Sequence, residues 1–125
     1  MSKRIALVAH DARKPAMIEW ATAHRDILVL HRLWGTGTTG SKVQEATGLE
    51  VNCLLSGPLG GDQQLGAMIA EGRIDVLIFF IDALSALPHD VDVKALIRVS
   101  TLYQTVTAFN ETTASHILHS PLLAA

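Results

Sequence analysis

The sequence has one cysteine, few aromatic residues and no long apolar run. A lone Cys53 cannot form an intrachain disulfide, and a cysteine-based metal cluster needs more ligands than this. We therefore expect a reducing, cytoplasmic setting. The first apolar run, residues 5–8, is too short for a signal peptide or a membrane-spanning helix, so we expect neither export nor a membrane partner.

An excess of charge of one sign is also lacking. Lysine and arginine number 10 against 12 aspartate and glutamate residues, which gives a formal net charge of −2. No basic field is available to hold a nucleic-acid backbone, so a nucleic-acid partner is not expected. The apolar fraction is 49% over 125 residues, which is enough for one core, and we expect a single domain over residues 1–125.

Apolar runs alternate with helix-like segments along the chain. The runs lie at residues 5–8, 27–33, 51–55, 76–81 and 105–108, and the helix-like segments at 15–23, 41–46, 62–71, 91–102 and 112–118. The first and fourth runs are continuously apolar, which is typical of strands buried on both faces. The alternation predicts an α/β fold with three layers, α/β/α, around a five-stranded, parallel, doubly wound sheet.

Polar or glycine-rich segments follow four of the predicted strands. They occupy residues 10–14, 35–40, 56–64 and 82–92. In an open parallel sheet, ligands bind outside the carboxyl ends of the strands. The four segments therefore predict one site at one edge of the sheet.

Residues 35–40 read Gly-Thr-Gly-Thr-Thr-Gly and precede a predicted helix. Glycines allow close backbone approach, and the free N–H groups of a helix N-terminus attract anions, which favours a phosphate site. An ordinary turn with a threonine cap explains the same residues equally well. The segment lacks the lysine of a P-loop and the spacing of GxGxxG, so both interpretations stay open on these residues alone.

Residues 56–64 hold three glycines, a proline, Asp62 and two glutamines. Asp62 can serve as a general base, or it can simply cap the helix that follows. The presence of a second glycine-rich segment at the same predicted edge favours the functional interpretation.

Residues 82–92 place His89 among acids, where an imidazole can exchange protons near neutral pH. The alternative is a solvated loop in which Asp90 caps a helix. No HxH or HExxH spacing occurs and nothing else completes a metal site, so a metal is disfavoured. Residues 10–14 add His10, Asp11 and two cations, of which Lys14 can neutralise a phosphate. The remaining cation, residue 13, is interpreted as exposed, and the histidines at 24, 31, 116 and 119 as structural or solvated.

Together these segments resemble the methylglyoxal synthase family. The matching pieces are IALVAHD at residues 5–11, TGTTG at 36–40, SGPLGGDQQ at 56–64 and PHDVDVKAL at 88–96. They occur in the family's order and spacing over roughly residues 4–103, and the third and fourth are highly specific.

The resemblance implies a lyase that converts dihydroxyacetone phosphate to methylglyoxal and inorganic phosphate without a cofactor or a metal. It also implies sheet order 3-2-1-4-5, a homohexamer, and allosteric inhibition by the product phosphate.

The resemblance further assigns roles by position. Asp62 corresponds to the base that removes a proton from the carbon beside the carbonyl, and His89 to the histidine that polarises the carbonyl oxygen and relays protons. Asp11, Asp82 and Asp92 correspond to further acids of the site. The implied substrate- and phosphate-binding positions are His10, Lys14, Thr36, Thr38, Thr39, Ser56 and Gly57.

Two other classes of protein are compatible with this alternation of strands and helices. A non-catalytic regulatory domain of the same fold, as in carbamoyl phosphate synthetase, needs a phosphate site but no base, and the presence of Asp62, His89 and Asp92 argues against it. A response-regulator-like or flavodoxin-like module needs an acidic phosphorylation pocket or a flavin loop, and the sequence contains neither.

Overall fold

The computed structural model describes residues 2–84 and 90–123, and for residues 90–92 it describes the backbone alone. The strands are β1 (Arg4–Ala9), β2 (Arg32–Thr36), β3 (Val51–Leu54), β4 (Val76–Phe80) and β5 (Val106–Ala108). The helices are α1 (Lys14–Ala23), α2 (Arg25–Leu28), α3 (Gly37–Thr47), α4 (Gly61–Ala70), α5 (Asp90–Leu102) and α6 (Glu111–Leu118). Over the described ranges, no helix combines the length and the apolar character needed to cross a bilayer.

The five strands form one sheet in the order β3-β2-β1-β4-β5, and every neighbouring pair is parallel. In the central strand, Ile5 lies opposite Leu33 of β2 on one side and Val76 of β4 on the other. The predicted α/β fold class and the strand order 3-2-1-4-5 are confirmed. Because the strands run in one direction, all their carboxyl ends lie at the same edge of the sheet.

Both faces of the sheet are buried under helices. Along β1, Ile5, Leu7 and Ala9 face a core shared with α1, α3 and α6. The alternate residues Ala6 and Val8 face a second core shared with α4 and α5. A central strand with no solvent-exposed face must be apolar at every position, which explains the continuous run seen in the sequence.

The start of β2 differs from the prediction, which placed a strand at residues 27–33. Residues 25–28 instead form α2, in which the Leu28 N–H donates to the His24 carbonyl at 3.0 Å, and the strand begins at Arg32. Leu28 is fully buried, whereas Val29 and Leu30 are 53% and 68% exposed. A short apolar run does not distinguish helix from strand by its period, and here Leu28, with the partly buried Ile27, anchors the turn to the core.

An ion pair holds the opposite, amino-terminal edge of the sheet. The Asp75 carboxylate accepts hydrogen bonds from the Arg4 backbone N–H at 2.8 Å, from Nε at 3.1 Å and from Nη2 at 3.0 Å. These bonds join the first residue of β1 to the residue before β4. The hydrogen bonds from the Arg4 side chain hold the pKa of Asp75 below its ordinary value.

We expect Asp75→Asn to lower the free energy of unfolding by about 1 kcal/mol at pH 7, because both charged groups are about one-third exposed and screened by water. A carboxyl whose pKa is depressed by folding stabilises the protein above its unfolded-state pKa, and this contribution is lost as the pH falls through the folded-state pKa. The difference between variant and wild type should therefore decrease as the pH falls below about 4. Urea unfolding of both proteins at pH 7 and pH 3 measures this difference in the free energy of unfolding.

The matched control is Glu71→Gln, which breaks a more exposed pair with Arg73 at 3.7 Å and should leave stability unchanged. A difference for Asp75→Asn that was equally large at pH 3 would assign the effect to packing instead of charge.

Candidate active site

A cavity of about 400 Å³ opens at the carboxyl edge of the sheet. It is lined by all the predicted site residues that the structure describes with their side chains: His10, Asp11, Lys14, Thr36, Thr38, Thr39, Ser56, Gly57, Asp62 and Asp82. The segments that carry them follow β1, β2, β3 and β4, so the chain direction of the sheet is what brings them together.

The loop between β3 and α4 forms one wall of the cavity. Residues Gly57–Leu59 make a 3-10 turn, and α4 begins at Gly61. A Cβ atom at Gly61 would lie 1.9 Å from the Leu55 carbonyl oxygen, so only glycine fits this contact. The tight packing fixes the direction in which the first turn of α4 enters the site.

Asp62 lies in that first turn, and it is 8% exposed. A Cβ at Gly57 would lie 3.3 Å from its Oδ2 atom, so the carboxylate sits directly against the turn that precedes the helix. The N-cap of α4 is Gly60, and the alternative interpretation of Asp62 as the N-cap is therefore wrong. A negative charge in the first turn of a helix is stabilised by the positive end of the helix dipole.

The junction of β2 and α3 forms another wall of the cavity. The predicted helix 41–46 begins earlier, at Gly37, so Thr36 ends the strand and Thr38 and Thr39 lie in the first helical turn. Gly37 has φ +34°, and a Cβ there would lie 2.6 Å from the Ser56 Cα atom. The backbone at the start of α3 therefore contacts the backbone of the β3–α4 loop, and the N-terminus of α3 lies next to Ser56.

Lys14 adds a positive charge to the α3 side of the cavity. Its Nζ atom lies 2.7 Å from the Asp11 Oδ1 atom, and the Lys14 side chain is 19% exposed whereas that of Asp11 is 96% exposed. An anion that enters the cavity can compete for this ammonium group, because the carboxylate partner is well hydrated and loses little when it is displaced. Helix N–H groups, hydroxyl groups and one ammonium group together suit a phosphate.

His10 lies between these walls and is 7% exposed. Its Nδ1 atom is 2.9 Å from the backbone nitrogen of Asp82, and its ring meets the edge of Phe79 at a centroid distance of 5.1 Å. A backbone N–H can only donate, so Nδ1 must be the acceptor. The neutral imidazole therefore carries its proton on Nε2, which makes His10 a hydrogen-bond donor through that atom.

Two predicted residues are not placed by these observations. His89 lies outside the described residues, and Asp92 lies in α5 at a position where only the backbone is described. Asp82 is half-buried, and its Oδ1 accepts a hydrogen bond from the Leu84 N–H at 3.3 Å. Within the described part of the chain, no group of three or more His, Cys, Asp or Glu residues is arranged to hold a metal ion.

Sequence reasoning missed the apolar part of the lining, which consists of Val8, Ala9, Ala12, Pro58 and Phe79. Val8 and Phe79 lie opposite each other in the pairing of β1 with β4 and point to the same face of the sheet. Once the two strands are paired in this register, both residues are identified as lining residues. These side chains exclude water from one side of the cavity, which strengthens the electrostatic interactions within it.

Comparisons with known proteins agree with this geometry. The family model described as "MGS-like domain" matches residues 16–108. A methylglyoxal synthase from Erwinia tasmaniensis is 58% identical over 120 residues, which cover 96% of this chain and 79% of that protein. One from Yersinia enterocolitica is 53% identical over 122 residues, with 98% and 80% covered.

A solved structure shows the same likeness. The crystal structure of methylglyoxal synthase from Elizabethkingia anophelis aligns with a TM-score of 0.93 and 50% sequence identity, and the alignment covers 98% of this chain and 80% of that one. The resemblance found in the sequence is therefore confirmed, and the chain belongs to the MGS-like family, among relatives that are methylglyoxal synthases.

Proposed function

We propose that this chain is a methylglyoxal synthase, a lyase that converts dihydroxyacetone phosphate to methylglyoxal and inorganic phosphate. The observation that carries the proposal is the arrangement of the cavity. A buried carboxylate, Asp62, and an anion-binding surface at the N-terminus of α3 line the same space of about 400 Å³. A base at one end and a phosphate site at the other match a short phosphorylated substrate.

In the first step, the Asp62 carboxylate removes a proton from the hydroxymethyl carbon beside the carbonyl. Burial against Gly57 and the apolar lining keeps water away from this carboxylate. The negative charge then moves to the carbonyl oxygen, which becomes an enediolate oxygen and needs a donor already in place. His10 supports this step because its Nδ1 accepts from the Asp82 N–H, so the imidazole proton is on Nε2 and that atom is a hydrogen-bond donor.

In the second step, the hydroxyl group of the enediolate loses its proton and becomes an aldehyde. The electron pair of the carbon–carbon double bond moves to the next carbon pair, and the carbon–oxygen bond to the phosphate breaks. The resulting enolate becomes methylglyoxal when its terminal carbon takes up a proton. This elimination requires the breaking bond to stand perpendicular to the enediolate plane, so the phosphate-binding groups act in catalysis as well as in affinity.

The remaining acids and His89 complete the proposal. We assign His89 to polarising the carbonyl oxygen and relaying protons, and Asp11, Asp82 and Asp92 to orientation and proton transfer. The support is that the family model spans Asp82, His89 and Asp92, and that Asp11 and Asp82 line the cavity. No cofactor or metal enters any of these steps.

The proposal extends to assembly and location. We propose a homohexamer that phosphate inhibits, and the support for an assembly is a set of strongly exposed leucines near the cavity mouth: Leu55, Leu59 and Leu84. We place the reaction in the cytoplasm, because a charged phosphate ester does not cross a lipid bilayer unaided. Neither nucleic acid nor a membrane is needed for this chemistry.

Phosphate release from dihydroxyacetone phosphate, measured in the presence of a chelator, tests the proposal. We expect release by the wild type and a loss of at least roughly 10²–10⁴-fold in Asp62→Asn, because general-base catalysis contributes about that much. Circular dichroism should show an unchanged fold. An inactive wild type that still bound phosphate would favour the regulatory-domain alternative, and near-normal turnover in Asp62→Asn would remove Asp62 as the base.

Lys14→Ala should raise KM and weaken inhibition by inorganic phosphate, since the ammonium group is lost from the anion-binding surface. Initial rates at several phosphate concentrations measure both effects. Lys42→Ala is the matched control, because Lys42 lies on α3 outside the cavity lining. An unchanged KM in Lys14→Ala would exclude Lys14 from phosphate binding.

Gly57→Ala should lower kcat about tenfold or more while stability is kept, because the added methyl group would press on the Asp62 carboxylate at 3.3–3.4 Å. Gly66→Ala in α4 is the control, since a Cβ there meets only the Leu96 Cδ2 atom at 4.0 Å. Steady-state kinetics of both variants measures this difference in kcat. Equal kcat values would show that Asp62 is not sensitive to this contact.

A further inference from the structure

Arg13 lies beside the cavity without lining it. It ends the 3-10 turn Asp11–Arg13 that follows β1, immediately before α1. Its Nη2 atom donates to the Glu111 Oε1 atom, and its guanidinium carbon lies 5.5 Å from the centroid of the Phe80 ring. The side chains of Arg13 and Glu111 are 29% and 42% exposed.

These three residues come from three different strand ends, and we call them the rim clasp. Arg13 follows β1, Phe80 is the last residue of β4, and Glu111 is the first residue of α6 after β5. In the sheet order, β4 lies between β1 and β5. The Arg13 side chain therefore reaches from the β1 turn, across the end of β4, to the start of α6.

The hydrogen bonds that position His10 lie next to the clasp. The Arg13 N–H donates to the His10 carbonyl at 2.8 Å, and the His10 N–H donates to the Phe80 carbonyl at 3.2 Å. Two residues further on, the Asp82 N–H donates to His10 Nδ1 at 2.9 Å. The distance between the β1 turn and the end of β4 thus sets whether the Asp82 amide can reach the imidazole.

We propose that Arg13 is a positioning residue, which holds the β1 turn against the end of β4 so that His10 keeps its Nε2–H tautomer. The proposal rests on the proposed function for its kinetic consequences. Arg13 acts through His10 and is not itself expected to touch the substrate.

The solvent exposure of the Arg13–Glu111 ion pair distinguishes a positioning role for Arg13 from a purely stabilising role. An ion pair that is about one-third exposed adds little to stability, because water screens both charges. A displacement of about 1 Å in a group that contacts the reacting atoms can lower a rate by roughly 10²-fold. Loss of the clasp should therefore change kcat much more than it changes stability.

The test uses Arg13→Gln, Glu111→Gln, the double variant and Arg13→Lys in the 125-residue chain. We expect each glutamine variant to lower kcat about tenfold with a smaller change in KM, because alignment of the reacting groups is lost while the phosphate site remains. The double variant should be no slower than the single variants, since both remove the same interaction. Arg13→Lys should recover part of the rate, because it keeps the positive charge opposite Glu111.

Arg4→Gln is the matched control. It breaks the ion pair with Asp75 at the opposite edge of the sheet, where the side chains are 35% and 34% exposed. We expect it to lower stability by a small amount, as for Arg13→Gln, and to leave kcat unchanged.

The second measurement is ¹⁵N NMR of the His10 imidazole, which needs no turnover. The wild type should show a proton on Nε2, and Arg13→Gln should show a mixture of tautomers as the Asp82 bond weakens. A wild type that released no phosphate would contradict the proposed function, while the tautomer comparison would still test the clasp. The clasp proposal is overturned by a kcat equal to that of the wild type, by losses that multiply in the double variant, or by an unchanged His10 spectrum.

Discussion

Parallel hydrogen bonding of β1 to β2 on one side and β4 on the other is the interaction on which the rest of the structure depends. It commits both faces of the central strand to burial, so every residue from Ile5 to Ala9 packs in one of two cores. It also sends the chain out of neighbouring strands at the same edge. The polar segments after β1 and β4 therefore meet at this edge, where the Asp82 N–H donates to His10 Nδ1.

Close backbone contact between the start of α3 and the segment after β3 then determines which groups share the cavity. Gly37 and Ser56 approach so closely that a side chain at residue 37 would collide with the Ser56 Cα atom. As a result, the N-termini of α3 and α4 open into one space, which Asp62 in the first turn of α4 also lines. Packing therefore requires glycine at residue 37, and this packing brings together the groups that line the cavity.

The cavity combines hydrogen-bond donors with the buried carboxylate of Asp62. First-turn amides of α3, Lys14 and the neutral His10 supply donors, while Asp62 supplies a carboxylate in the first turn of α4. A substrate with a phosphate at one end and an acidic carbon–hydrogen bond at the other complements this arrangement. The ion pair between Arg4 and Asp75 lies at the opposite edge and stabilises the sheet without entering the chemistry.

The sequence alone determined the fold class, the strand order through its family resemblance, and the segments that line the cavity. It could do so because alternating elements and strand-end chemistry are local in the chain. Only the tertiary structure decided that β2 begins at Arg32, that Gly60 and not Asp62 caps α4, and that the Asp82 amide fixes the His10 proton. It likewise showed that Arg13 pairs with Glu111, although its sequence context suggested an exposed cation. Each of these features depends on a partner from a distant part of the chain or on the exact end of an element, and neither is encoded in a local pattern.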